Sequence, residues 1–200
     1  MADVTALRQS PLAHLHERMR AATVFGAHDV LLAERPFVTM VNLRVNPDLP
    51  AATALASVVG VQLPRACGET AEHGPHAVLW LGPDEWLVVS QAEAGSLTQE
   101  LAMAADGAHV SVVDVSANRT VLELSGAFAR AVLEKGCPVD LHPTAFRPGM
   151  AVATTLARIP VVLWQVGPAS YRLLPRSSFA DYVARWLLDA MDEFAHLEVR

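Results

Sequence analysis

Apolar and polar residues alternate along this 200-residue chain with two different periods, and the changes of period divide it into strands and helices. Phe37–Val45 alternates with period two and predicts a strand. Pro50–Val59 predicts a helix, because proline's missing N–H costs nothing in a first turn and Gly60 stands at the end as a stop. Pro64, Gly68, Gly74 and Pro75 mark residues 64–76 as a loop. Ala77–Leu81 and Glu85–Ser90 predict a hairpin about Gly82-Pro83-Asp84. Ser96 is placed as the cap of a helix running to Ala105, and Val110–Val115 predicts a strand. The same order then recurs. Arg119–Leu124 predicts a strand, Ser125-Gly126 opens a helix through Lys135 that Gly136 ends, and residues 138–148 form a proline-rich loop. Ala151–Ala157, Val161–Val166 and Tyr171–Leu174 predict strands. A last helix, capped by Ser177 or Ser178, runs to about Phe194 and keeps the 3.6 period through Phe179, Tyr182, Val183, Trp186, Leu187 and Ala190.

The recurrence is visible in the residues. Leu79-Trp80 and Leu163-Trp164 each precede a Gly-Pro turn, 163 − 79 = 84 positions apart. Val41–Val45 matches Val121–Ser125 at 121 − 41 = 80. A period of this length exceeds the roughly 20–50 residues of solenoid repeats. It implies an α+β fold of duplicated half-domains, mainly antiparallel sheet with helices packed on one face. Residues 37–115 form the first half and 116–200 the second, together one compact domain. Residues 1–36 form an N-terminal arm. Within it, Pro11–Arg20 predicts a short helix with Leu12, Leu15 and Met19 on one face, and Asp29–Glu34 is a second apolar patch. Such an arm packs either on its own domain or on a neighbour, so these three residues are candidate interface contacts.

Composition narrows the function. The net charge of −6 and the lack of a basic cluster argue against nucleic acid, whose phosphates require a basic face. The longest apolar runs stay under ten residues, far short of the roughly twenty a membrane helix needs. The first twenty residues hold no continuous apolar core of the kind a secretory signal carries. Cys67 and Cys137 are expected to be free thiols in a reducing cytoplasm. The hydrophobic fraction of 52% owes much to alanine, and arginine outnumbers lysine 14 to 1. A GC-rich genome accounts for both, and a subunit burying extra apolar surface against partners accounts for the first.

Motifs that carry chemistry are scarce. The chain contains neither G-x-G-x-x-G nor G-x-x-x-x-G-K-[ST], and no G-x-S-x-G elbow. Cys67, His73 and His76 have zinc-like donor types but no evident fourth ligand, and a polar loop is the plainer account. His14 and His16 fall on opposite faces of any helix. Cys137 beside Lys135 has one activating neighbour but follows a helix end, where a packed thiol is expected. Asp84-Glu85 suits a solvated turn. Arg119 is placed to pair with Asp114 or with a partner's carboxylate. Trp80, Trp86, Trp164 and Trp186 have apolar neighbours and are expected in the core, with Trp86 a candidate interface anchor. No nucleophile, base and orienting group converge.

Four segments together carry a family resemblance: Leu81–Leu87; Asp114–Arg119; Leu122–Gly126 with Ala129–Leu133; and Gly136-Cys137-Pro138-Val139-Asp140-Leu141. In order and spacing the chain resembles the gamma subunits of heterotetrameric sarcosine oxidase, over roughly residues 35–195. That family is similar in turn to the folate-binding domain of aminomethyltransferases. The resemblance implies a structural subunit without catalytic residues, bound to alpha, beta and delta partners. The complex oxidises sarcosine to glycine, forms hydrogen peroxide and passes the one-carbon unit to tetrahydrofolate. The resemblance puts FAD, FMN, NAD, tetrahydrofolate and zinc on the other subunits. Aminomethyltransferases continue into a further domain after this region, and the Lys-Gly-Cys of a folate-dependent iron–sulfur relative has a different sequel from Pro138-Val139-Asp140. The alternative is a stand-alone folate-binding aminomethyltransferase-like protein, for which Asp114 and Glu123 are the carboxylates available to a pterin.

Overall fold

A computed structural model describes residues 7–196. Ten strands and five helices follow one another. They are α1 (His16–Ala21), β1 (Leu31–Arg35), β2 (Thr39–Arg44), α2 (Pro50–Val59), β3 (Thr70–His73), β4 (His76–Gly82), β5 (Glu85–Ser90), α3 (Ala94–Ala105), β6 (Ser111–Asp114), β7 (Val121–Ser125), α4 (Ala129–Glu134), β8 (Ala151–Leu156), β9 (Ile159–Gly167), β10 (Ser170–Pro175) and α5 (Ala180–Ala195). They form two five-stranded antiparallel sheets, ordered β3-β4-β5-β2-β6 and β8-β9-β10-β7-β1.

Each sheet is buried on both faces. Val41, Leu43, Val78, Trp86 and Val88 of the first sheet pack under α2 and α3 with Leu55, Val59, Leu97 and Leu101. Leu32, Leu122, Leu124, Leu163 and Leu173 of the second pack with Leu133 of α4 and Val183 and Leu187 of α5. The remaining faces meet through Met40, Leu79, Leu87 and Val89 on one side and Val121, Val162, Trp164 and Leu174 on the other. The layers therefore run helix, sheet, sheet, helix. Burial on both faces explains why Val78–Leu81 and Val161–Trp164 are unbroken apolar runs rather than alternating ones.

The duplication is real, but its register differs from the one the identities give. The Gly82–Glu85 and Gly167–Ser170 turns align at 85 positions, and an irregularity precedes each turn at the same place, Leu81 and Val166. Trp86 then matches Tyr171, Trp80 matches Gln165, and Leu79 matches Trp164. Leu43 pairs with Trp86 as Leu124 pairs with Tyr171, so β2 and β7 correspond at 81. The matched pairs Leu79/Trp164 and Met40/Val121 all lie between the sheets. The spacings of 84 and 80 would each slip the register by one residue, and in a strand one residue exchanges the faces. β6 pairs with β2 as β1 pairs with β7. The second sheet thus takes its last strand from ahead of the first half. Residues 31–35, placed in the arm from the sequence, are that strand; their pattern does not alternate cleanly, with Leu31 41% exposed and Leu32 buried. The first six residues of the arm lie outside the described residues.

Other boundaries shift for local reasons. Thr70–His73, expected as loop, is an edge strand whose polar residues carry no hydrophobic period. Glu93, not Ser96, caps α3: its carboxylate accepts from the Ser96 N–H at 2.8 Å. α5 begins at Ala180 after a 3-10 turn over Ser177–Phe179, and the Ser177 hydroxyl donates to the Ala117 carbonyl instead of capping. α2 is as expected, with Gly60 left-handed at its end.

Candidate functional site

Four of the five candidate interface residues belong to the chain's own core. Leu12, Leu15 and Met19 are 0%, 4% and 2% exposed and pack with the second sheet and α5, so the arm packs on its own domain. Trp86 is fully buried, and its Nε1–H donates to the Pro64 carbonyl at 2.8 Å. Arg119 is half-buried and donates to the Leu174 carbonyl at 2.9 Å. Burial, and then the nearby charge of Arg176, push its pKa down. Asp114 is not its partner: that carboxylate accepts from the N–H and hydroxyl of Ser116.

The remaining candidates stay apart. His76 shares a hydrogen bond with Ser90 at 2.9 Å, and burial lowers its pKa. No group of three or more His, Cys, Asp or Glu suited to a metal occurs among the described residues. Burial pushes the Cys137 thiol up, away from the activated thiolate. Asp84 pairs with Arg44 on the surface. Gly136 ends α4 by closeness rather than by a left-handed cap, since a Cβ there would lie 2.6 Å from the Trp186 ring.

What the structure does assemble is a cleft of about 210 Å³ where the two sheets meet. Val38, Val89, Val121, Trp164 and Leu174 line it from the apolar layer, and Arg35, Arg172, His76, Gln91 and Glu72 supply its polar side. Glu123 lies beside the cleft and joins the two arginines that line it. Its carboxylate takes hydrogen bonds from Arg35, one of them at 3.1 Å, and from Arg172 at 3.2 Å. Burial alone raises the Glu123 pKa, but the two guanidinium groups outweigh it and hold the carboxyl below its ordinary range. The Arg172 guanidinium also lies 4.9 Å from the centroid of the Trp164 ring. From the sequence, Glu123 stood out as a mid-strand charge. Arg35 and Arg172 are single charges on two strands far apart in the sequence, β1 and β10, and no spacing signal joins them. A wider groove of about 870 Å³ runs past Asn46–Leu49, Pro83-Asp84 and His109–Ser111. The cleft holds one hydroxyl–imidazole pair, Ser90 and His76, but no carboxylate among the described residues hydrogen-bonds to that ring to orient it as a base.

Known proteins place this arrangement. The model of the sarcosine oxidase, gamma subunit family matches residues 45–193. This chain belongs to that family. The sarcosine oxidase subunit gamma of Corynebacterium sp. (strain U-96) is 48% identical over 200 residues, covering 100% of this chain and 97% of the relative. That of an Arthrobacter species is 48% identical over 194 residues, covering 96% and 94%. Among solved structures, a chain of the heterotetrameric sarcosine oxidase from Corynebacterium sp. U-96, in complex with pyrrole 2-carboxylate, superposes with a TM-score of 0.93 and 47% identity, over 97% of this chain and 100% of that one. Aminomethyltransferase T of the glycine cleavage system from Bartonella henselae superposes with a TM-score of 0.66 and 17% identity, over 94% of this chain and 62% of that one. That likeness concerns the fold, and it agrees with the α+β architecture read from the sequence.

Proposed function

We propose that this chain is the structural gamma subunit of a heterotetrameric sarcosine oxidase, the complex that oxidatively demethylates sarcosine to glycine with formation of hydrogen peroxide and methylenetetrahydrofolate. The observation that carries the reading is correspondence over whole chains: 97% of this chain covers 100% of a chain of such a complex at a TM-score of 0.93. The polar groups support an accessory role. The Glu123 carboxylate is taken up by Arg35 and Arg172, Asp114 by Ser116, and His76 by Ser90. The companions are alpha, beta and delta subunits in the cytoplasm. FAD, FMN, NAD, tetrahydrofolate and zinc reside on those companions.

The stand-alone folate-binding reading finds less support. Its two nominated carboxylates, Asp114 and Glu123, are already engaged within the chain. The cleft of about 210 Å³ lies below the roughly 300–1,000 Å³ of ordinary small-molecule sites. These residues do not fit a pterin.

The test is to purify the tagged chain from its own cells and record a native mass spectrum with a flavin absorbance scan. A hetero-oligomer of four different chains with flavin absorbance is expected. A colourless particle of one or two copies overturns the reading.

A further inference from the structure

The two halves place different side chains at one matched position beside the layer between the sheets. Val38 precedes Thr39 as Arg119 precedes Thr120, and these positions match in register, as do Gln91 and Arg176. In the second half the long Arg119 side chain is half-buried and donates to the Leu174 carbonyl. In the first half stands the short Val38, and the cleft of about 210 Å³ remains open.

The open niche has guanidinium donors to spare. Arg35 and Arg172 share the single carboxylate of Glu123. The second terminal nitrogen of Arg35 and both terminal nitrogens of Arg172 have no hydrogen bond among the described residues. Glu72 at the mouth and the partly buried His76 complete the titratable groups lining it. Glu72 and Glu123 balance the two arginines in formal charge, so what the niche offers an acidic partner is the guanidinium nitrogens that no group of the chain takes up. The volume is below that of ordinary small-molecule pockets, which favours a single side chain as the occupant.

The surface continues from the cleft past Val38, Ser90 and Gln91 into a shallow groove that holds Phe37 and Arg8. Phe37 is 49% exposed and has φ of +60°, a left-handed conformation that a bulky aromatic seldom adopts. The Arg8 guanidinium sits 4.7 Å from its ring centroid. An outward-held aromatic beside unspent guanidinium donors is the combination that anchors protein contacts.

We infer that this cleft seats an acidic side chain, Asp or Glu, of a companion subunit, with Phe37 as the neighbouring apolar anchor. The inference rests on the assembly reading above. Val38→Glu is the direct test: it places a carboxylate from the chain itself where the partner's would sit. The variant is expected to melt at or above the wild-type temperature and to associate with co-expressed companion subunits at least about tenfold more weakly. Phe37→Ala, at an exposed position, weakens association without moving the melting temperature. Arg44→Glu, on the far groove, leaves association unchanged. Wild-type affinity in folded Val38→Glu overturns the inference. If that variant does not fold, charge reversal by Arg35→Glu takes its place under the same criterion. Tight binding of free acetate or glutarate by the isolated wild-type chain, together with undisturbed assembly of Val38→Glu, would reassign the cleft to small acids and overturn the inference as well. Failure of the wild-type chain to assemble at all sinks the assembly reading instead.

Discussion

Thr39 and Thr120 hold matching positions in the two halves and spend their hydroxyls differently: Thr39 Oγ1 donates to the Ala92 carbonyl at 2.7 Å, and Thr120 Oγ1 to the Glu34 carboxylate at 2.7 Å. Glu34 lies on β1, its side chain fully shielded from solvent, and takes further hydrogen bonds with Ser10 at 2.5 Å and His16 at 2.7 Å. One carboxylate therefore ties the N-terminal segment and α1 to the start of β7. Glu34→Ala leaves those polar groups without their acceptor and is expected to cost about 2–4 kcal/mol. The urea midpoint should fall, and protease should cut earlier between residues 7 and 20. Glu34→Gln, which keeps the shape, should lose less; equal losses would show that the negative charge is irrelevant.

The Glu123 cluster makes a pH prediction. Its carboxyl pKa is depressed in the folded chain because the Arg35 and Arg172 hydrogen bonds outweigh burial. An acid whose folded pKa is depressed stabilises the fold fully above its unfolded pKa, about 4.3, and the contribution disappears as pH falls through the lower folded value. The difference in melting temperature between wild type and Glu123→Gln should be constant from about pH 8 to pH 5 and shrink below about pH 4.3. A difference that persists unchanged at pH 3 would show that the ion pairs do not carry it.

Much of this architecture was legible because apolar residues must be buried with the period of their element. The hairpins, α2 and the order of the halves followed from that rule; the α5 stripe did so only in part, since Val183, Leu187 and Ala190 are buried while Phe179 and Tyr182 are 40% and 51% exposed. The register of the repeat did not, since Leu-Trp recurs one position nearer the turn in β4 than in β9. Only pairing geometry reveals which of two neighbours faces inward. β1 was hidden for a different reason: nothing local in Leu31–Arg35 tells that a strand ahead of the first half completes the second sheet. Of the cleft, Glu123 was visible as a charge inside a strand. Its two arginines come from strands far apart in sequence, so spacing could not join them.

Leu12 tests where the N-terminal segment belongs. It is fully buried against the second sheet and α5, in the same core as Leu15 and Met19. Leu12→Ala should cost the isolated chain about 2–5 kcal/mol through lost burial and the cavity left behind. Met19→Ala should behave alike. Denaturant midpoints of the isolated variants measure this directly. Unchanged midpoints, with a loss of affinity for companion subunits, would return these residues to an interface.

Gly126 is where the second half depends on a missing side chain. Its φ is +116°, and a Cβ there would lie 2.4 Å from the Asp29 carbonyl oxygen and 2.9 Å from the Val30 Cα. The close approach is used. The Gly126 N–H donates to the Ala169 carbonyl, the Phe128 N–H to the Asp29 carbonyl at 3.1 Å, and the Ala127 N–H to the Asp29 carboxylate at 2.9 Å. These bonds bring the entry of β1 against the turn that leads into α4. An alanine meets backbone on one side and an unfavourable φ on the other, so neither rotamer change nor side-chain movement relieves it. Gly126→Ala is expected to destabilise by about 2–4 kcal/mol and to raise amide exchange in β1 and β7 before it does so in β4 and β5. Exchange rising equally in both sheets would mean that the two halves do not open separately, and that the strain at Gly126 is borne by the whole fold.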